Sequence, residues 1–130
     1  MSIAVFWQVE NRVIYVEVQG DVPIEDVWTS TEEITKLLDS GQRPVHLLAD
    51  MRQMGKIPTQ VNQMRLANQA VMQHPALGQV FGIGSMNPIV QLLAAVITQV
   101  ARVEYRSVSS PEEAMRILER TDLTLAEAAG

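Results

Sequence analysis

Residues 44–51 read Pro-Val-His-Leu-Leu-Ala-Asp-Met, with apolar side chains at Val45, Leu47, Leu48 and Ala49. Extended chain points successive side chains to opposite faces, so this run is apolar on both. A strand of that kind must be covered on both sides, which is the environment of a parallel sheet.

The flanking sequence supplies the rest of such a sheet. Ile3, Val5, Trp7 and Val9 alternate along a strand over residues 3–9, and residues 12–19 form a second strand rich in Val, Ile and Tyr. The break at Glu10-Asn11 is short enough for an antiparallel hairpin, and Asn11 tolerates the positive φ that such turns need. Pro23 suits a first helical turn, and Ile24, Val27, Trp28, Thr31, Ile34 and Leu38 follow at helical spacing. Gly41 is placed to end that helix in a left-handed cap.

A second helix is expected over residues 59–73, with Thr59 as N-cap and Val61, Met64, Ala67 and Val71 facing inward. It closes before Pro75, because the residue preceding a proline is pushed out of helical conformation. A strand over 79–84 precedes a helix over 88–100, with Asn87 as N-cap and Pro88 in the first position. Over residues 101–108, Arg102, Glu104 and Arg106 alternate with Val103 and Tyr105, which reads as a charged edge strand. Ser110, Pro111 and Glu113 then form a helix start with a capping box, and Ala114, Ile117 and Leu118 supply its buried face.

The order is β-β-α-β-α-β-α-β-α. It predicts an α/β fold with a mixed, mainly parallel five-stranded sheet and an N-terminal antiparallel hairpin. One domain over residues 1–120 is expected, followed by a tail over 121–130 that is a frayed helix or disordered.

Composition narrows the function. The 130 residues contain no cysteine, which removes disulfides and thiolate chemistry and fits a reducing cytoplasm. A net charge of −5 argues against nucleic acid and against anionic membranes. No signal peptide is evident, and no run reaches the roughly 18–20 apolar residues of a membrane span. Hydrophobic residues make up 47% of the chain and charged residues 19%, a balance that points towards an oligomer.

Three stretches carry a resemblance. They are Val13-Ile14-Tyr15-Val16-Glu17-Val18-Gln19-Gly20, Pro44-Val45-His46-Leu47-Leu48-Ala49-Asp50-Met51-Arg52, and Glu104-Tyr105-Arg106 followed by Ser110-Pro111-Glu112-Glu113-Ala114. Together with the element order they resemble the STAS domains, in particular the SpoIIAA-like stand-alone branch, over nearly the whole chain. The resemblance implies a superhelical β-α arrangement and a role in protein–protein regulation or small-ligand sensing. Regulatory antagonists of that family carry Asp-Ser-Ser/Thr-Gly where the helix after the third strand begins. This chain has Gly55-Lys56-Ile57-Pro58-Thr59-Gln60 there, with Thr59 the nearest hydroxyl, so a phospho-serine switch is not expected. The lipid-carrying CRAL-TRIO domains share the fold, which keeps an apolar ligand in view.

Open α/β sheets bind ligands at the carboxyl ends of their parallel strands. Candidate ligand-binding residues there are Asp21, Asp50, Arg52, Ser85 and Asn87. Asp21 and Asp50 are either a pair that divides acid and base work or simply turn and loop caps. Gly82-Ile83-Gly84-Ser85 hints at a phosphate loop but lacks the third glycine of a dinucleotide fingerprint. His46 reads as a packed strand residue and His74 as exposed at a helix end. Neither has metal-site spacing, and no serine sits in a nucleophile elbow. No catalytic residue, metal or cofactor is expected.

The helix over 88–100 stands out, because only Gln91, Thr98 and Gln99 interrupt its apolar surface. Such a helix needs cover on more than one side. Ile89, Val90, Leu92, Leu93, Val96, Ile97 and Val100 are the candidate interface, covered by neighbouring helices, a second copy or an apolar ligand. Met51, Met54, Met64, Met72 and Met86 add adaptable side chains between the third strand and this helix. The resulting expectation is a non-catalytic regulatory or scaffold domain that works through protein contacts as a homodimer. The alternative is a carrier or sensor of a lipid or other apolar small molecule.

Overall fold

A computed structural model describes residues 2–84 and 88–125, apart from the side chains of Ile89 and Val100. The elements follow the expected order: β1 (Ile3–Val9), β2 (Val13–Gly20), α1 (Ile24–Ser40), β3 (Val45–Met54), α2 (Val61–Met72), β4 (Leu77–Ile83), α3 (Pro88–Ala101), β5 (Tyr105–Val108) and α4 (Pro111–Thr121). The strands form one five-stranded sheet in sequence order, β1-β2-β3-β4-β5. The β1–β2 hairpin is antiparallel, and its turn places Asn11 at φ 68° as its residue type allows. The pairs β2–β3, β3–β4 and β4–β5 are parallel.

The double-sided apolar pattern of β3 has the expected consequence. Leu47 faces a core shared with Ile14, Val16, Val80 and the inner residues of α1 and α2, among them Val27, Leu38 and Val71. Leu48 faces the opposite core, built from Val13, Phe81, Ile83 and Val108 against Ala114 and Leu118 of α4. Helices α1, α2 and α3 therefore lie over one face of the sheet and α4 over the other.

Several local expectations are corrected. Gly41 ends α1 in extended backbone, φ −83°, and not in a left-handed cap. Glycine is required there by crowding: a Cβ would lie 2.7 Å from Val45 Cγ2 and 2.9 Å from the Asn11 carbonyl. Helix α2 begins at Val61 behind Gln60, without a side-chain cap, so Thr59 is not its N-cap. The edge strand begins only at Tyr105, because α3 runs on to Ala101. Arg102 then takes φ 59°, with its N–H donating to the Gln99 carbonyl and the Val103 N–H to the Thr98 carbonyl. This is a Schellman ending built on arginine instead of the usual glycine, so no sequence mark announces it.

At α4, Ser110 Oγ accepts the Glu113 N–H as expected, but the Glu113 carboxylate bonds the N–H and hydroxyl of Ser109, one residue earlier than a capping box requires. In the described part of the expected tail, Leu125 is 1% exposed and belongs to the α4-side core, whereas Leu123 is 77% exposed. The expected N-cap Asn87 lies outside the described residues.

Candidate functional site

The α1–α3 face contains a cavity of about 190 Å³. Its floor is the sheet, through Val16 and Val18 of β2, Leu47, Ala49 and Met51 of β3, and Tyr105 of β5. Its walls are helical: Ser30, Thr31 and Ile34 from α1, Met64, Asn68 and Met72 from α2, and Val90, Leu93 and Ile97 from α3. Val22, Met54, Ile57 and Pro58 close it at the carboxyl ends of β2 and β3.

Ala49 of β3 puts a small side chain on the floor, and beside it in register Gly82 of β4 gives its space to Tyr105. The hydroxyl of Tyr105 lies over Gly82, where any Cβ would collide with it. Above them, α3 makes its main contacts with α2 and the short β5.

The loop between β3 and α2 is strapped to the end of β2. Gly55 N–H donates to the Gly20 carbonyl, Val22 N–H to the Lys56 carbonyl, and Lys56 N–H to Asp21 Oδ1, each at 2.7 Å. Asp21 thus holds the segment that carries Ile57 and Pro58 over the cavity.

The sequence-derived candidates are distributed as follows. Asp50 pairs in register with Glu17, four residues before Asp21 along β2. Asp21 lies just past the end of β2 and bonds the Lys56 N–H, so in the structure the two carboxylates have separate partners. Asp50 instead sits on the α4 side. Its carboxylate receives the Tyr15 hydroxyl at 2.5 Å, Arg52 Nε at 3.0 Å, Arg52 Nη2 at 2.7 Å and the Arg52 N–H at 3.1 Å. The Arg52 guanidinium holds the Asp50 carboxyl down to about 2, with help from Tyr15 and against the opposing effect of burial. Burial, reinforced by the Asp50 charge, raises the Tyr15 phenol to about 12. Phe6 stacks on Tyr15 with ring centroids 5.2 Å apart.

Only Gly82, Ile83 and Gly84 of the phosphate-loop stretch are described. Gly82 makes room for Tyr105, and the Gly84 N–H is already bonded to the Val108 carbonyl. Ser85 and Asn87 lie outside the described residues.

The candidate interface on α3 divides in two. Val90, Leu93 and Ile97 line the cavity, whereas Leu92 is 61% exposed and Val96 half-buried. Four of the five methionines singled out in the sequence, Met51, Met54, Met64 and Met72, meet at the cavity, and Met86 lies outside the described residues.

A cluster that sequence reasoning missed lies at the amino ends of the parallel strands. Buried Arg12 donates to Asp122 Oδ2 at 2.6 Å and to the Pro44 carbonyl at 3.2 Å. His46 Nδ1 accepts the Gln79 N–H at 2.9 Å, which leaves Nε2 to donate to Asp122 Oδ2 at 2.8 Å. Burial lowers the His46 imidazole below its ordinary value, against the pull of Asp122. His46 is packed as expected. His74, expected exposed, bonds Asp39 at 2.7 Å with only 13% of its side chain accessible. No group of His, Asp and Glu suited to a metal ion occurs among the described residues.

The architecture, with three helices over one face and one over the other, is that of a SpoIIAA-like α/β domain. The structure of the anti-sigma factor antagonist SpoIIAA in its unphosphorylated form superposes with a TM-score of 0.65 at 8% identity, covering 90% of this chain and 97% of that one. An uncharacterised protein with a SpoIIAA-like fold from Shewanella loihica PV-4 superposes with a TM-score of 0.63 at 14% identity, covering 89% and 91%. No protein-family model matches the chain, and no curated protein matches it in sequence. The chain therefore has a STAS-like fold, as the resemblance implied. No described helix is long and apolar enough to cross a membrane.

Proposed function

We propose that this is a non-catalytic STAS-like regulatory domain whose input is a small apolar molecule bound between the sheet and α1–α3. The observation that carries the reading is the apolar cavity, floored by the sheet around Ala49 and lined by flexible methionines. Its volume of about 190 Å³ sets the scale of the occupant. An engineered cavity of roughly 150 Å³ accepts benzene, so this one suits a compact molecule or the end of a chain and not a whole lipid.

Native mass spectrometry of the purified protein, with and without added toluene or hexanol, tests the proposal. Bound mass and a raised unfolding temperature are expected; absence of both across such a panel would remove the reading. The same spectra report assembly. A homodimer through α3 is the second reading, favoured by exposed Leu92 beside half-buried Ala95 and Val96. A dimer that Leu92→Glu converts to monomer would support it, and a wild-type monomer at micromolar concentration would end it.

A further inference from the structure

We infer that the cavity selects a neutral molecule about the size of a phenol that carries a hydroxyl to donate, over the bare hydrocarbon, the ether and the acid. This rests on the ligand-binding reading above and specifies its chemistry. The first observation is the charge of the lining. Among the described residues that form it there is no Asp, Glu, Lys, Arg or His. A carboxylate or ammonium placed there would lose its hydration with no counter-charge, a cost that keeps it out.

The second observation is the state of the polar side chains. The lining holds Ser30, Thr31, Asn68 and Tyr105. Ser30 Oγ donates to the Val27 carbonyl at 2.8 Å, and Thr31 Oγ1 to the Trp28 carbonyl at 2.9 Å. Asn68 Nδ2 donates to the Met64 carbonyl at 2.8 Å. Both α1 hydroxyls have thus spent their only hydrogen on their own helix and offer lone pairs, and Asn68 keeps its carbonyl oxygen. Tyr105, on the far side of the floor, carries its hydroxyl over Gly82. Helices α1 and α2 pack on each other, so the acceptors share one side of the cavity. A ligand hydroxyl directed at that side gains a hydrogen bond. An ether oxygen against the two α1 hydroxyls would face lone pairs only, and at Asn68 it would find just the second amide N–H.

The test compares p-cresol, its isomer anisole, toluene and benzoate by calorimetry on the full chain. Cresol should bind about two- to tenfold more tightly than toluene or anisole, the range of one net hydrogen bond, and benzoate should show no binding. Toluene binding as tightly as cresol would overturn this inference and leave the proposed function standing. Binding by none of the four would remove both. Benzoate binding would overturn the uncharged-lining argument. The variants Thr31→Val, Ser30→Ala and Asn68→Leu locate the acceptor. At least one should lose the preference for cresol while keeping wild-type toluene affinity, a separation that loss of fold would not produce. If all three keep the preference, the assignment to these acceptors fails.

Discussion

The two faces of the sheet are built by alternate residues of the same strands, yet they end differently. On the α4 side, Leu48, Phe81 and Ile83 are fully buried and fill the space beneath the helix. On the other side, small Ala49 faces a cavity under three helices, and Tyr105 takes the space over Gly82. The charges divide in the same way. Tyr15, Asp50 and Arg52 form one polar cluster on the α4 side, and His46 and Asp122 belong to another, whereas the described cavity lining carries no ionisable acid or base except the Tyr105 phenol. The comparison teaches that a double-sided apolar strand need not pack equally on both sides. One face can supply stability while the other holds space in reserve.

The largest effect should come from emptying the filled face. Phe81→Ala is expected to cost about 3–5 kcal/mol in urea unfolding, the range for truncating a fully buried aromatic. A loss below about 1 kcal/mol would mean that this face is not the stabilising one.

Next comes the clamp at the amino ends of the strands. Asp122→Ala leaves the buried Arg12 guanidinium without its carboxylate, and a loss of about 3 kcal/mol is expected, typical of a broken buried pair. The wild-type clamp should also be acid-sensitive. Because burial holds the folded His46 imidazole below 6.5, its contribution is complete above pH 6.5 and is lost as pH falls through the lowered folded value. Stability measured from pH 7.5 down to 5 should therefore decline in wild type and decline less in His46→Gln. Equal slopes would exclude His46 as the source.

Filling the open face should do the opposite of emptying the other. Ala49→Leu adds side-chain volume where the cavity provides it, so unfolding should shift by less than about 1.5 kcal/mol in either direction, while toluene and cresol binding is abolished. Retained binding would show that the ligand does not rest on the sheet. The smallest effect is at the end of α3. Arg102→Gly should stabilise by about 0.5–1 kcal/mol, because glycine occupies φ 59° without the crowding of a Cβ. Destabilisation in thermal melts would show that the arginine side chain contributes more than its backbone costs.

The contrast between the faces was only half visible in the chain. The alternation of Val45, Leu47 and Leu48 requires cover on both sides, and Asn11 and Pro111 mark a turn and a helix start where the structure has them. Spacing does not tell how far a helix stands from a strand. The apolar helix α3 therefore left open whether neighbouring helices, a second copy or an apolar ligand covers it, and Val90, Leu93 and Ile97 line the cavity. Ala49 and Gly82 are 33 residues apart in sequence, and nothing local announces that they become neighbours in the sheet. Arg102 hid a helix end for a similar reason: the backbone does there what glycine usually signals.

The clamp has a further consequence for the order in which the molecule is assembled. Every strand lies beside its predecessor, so the sheet can be laid down in the order in which the chain is synthesised, with loop closures of modest length. Arg12 is the exception. It is positioned with the first hairpin but waits for Asp122, 110 residues later, as its carboxylate partner. Without α4 and the turn after it, Arg12 would stay in water and the surface of Leu48 and Phe81 would be bare. Docking of α4 covers both at once, so truncation before Pro111 removes the clamp and one whole face of the core together.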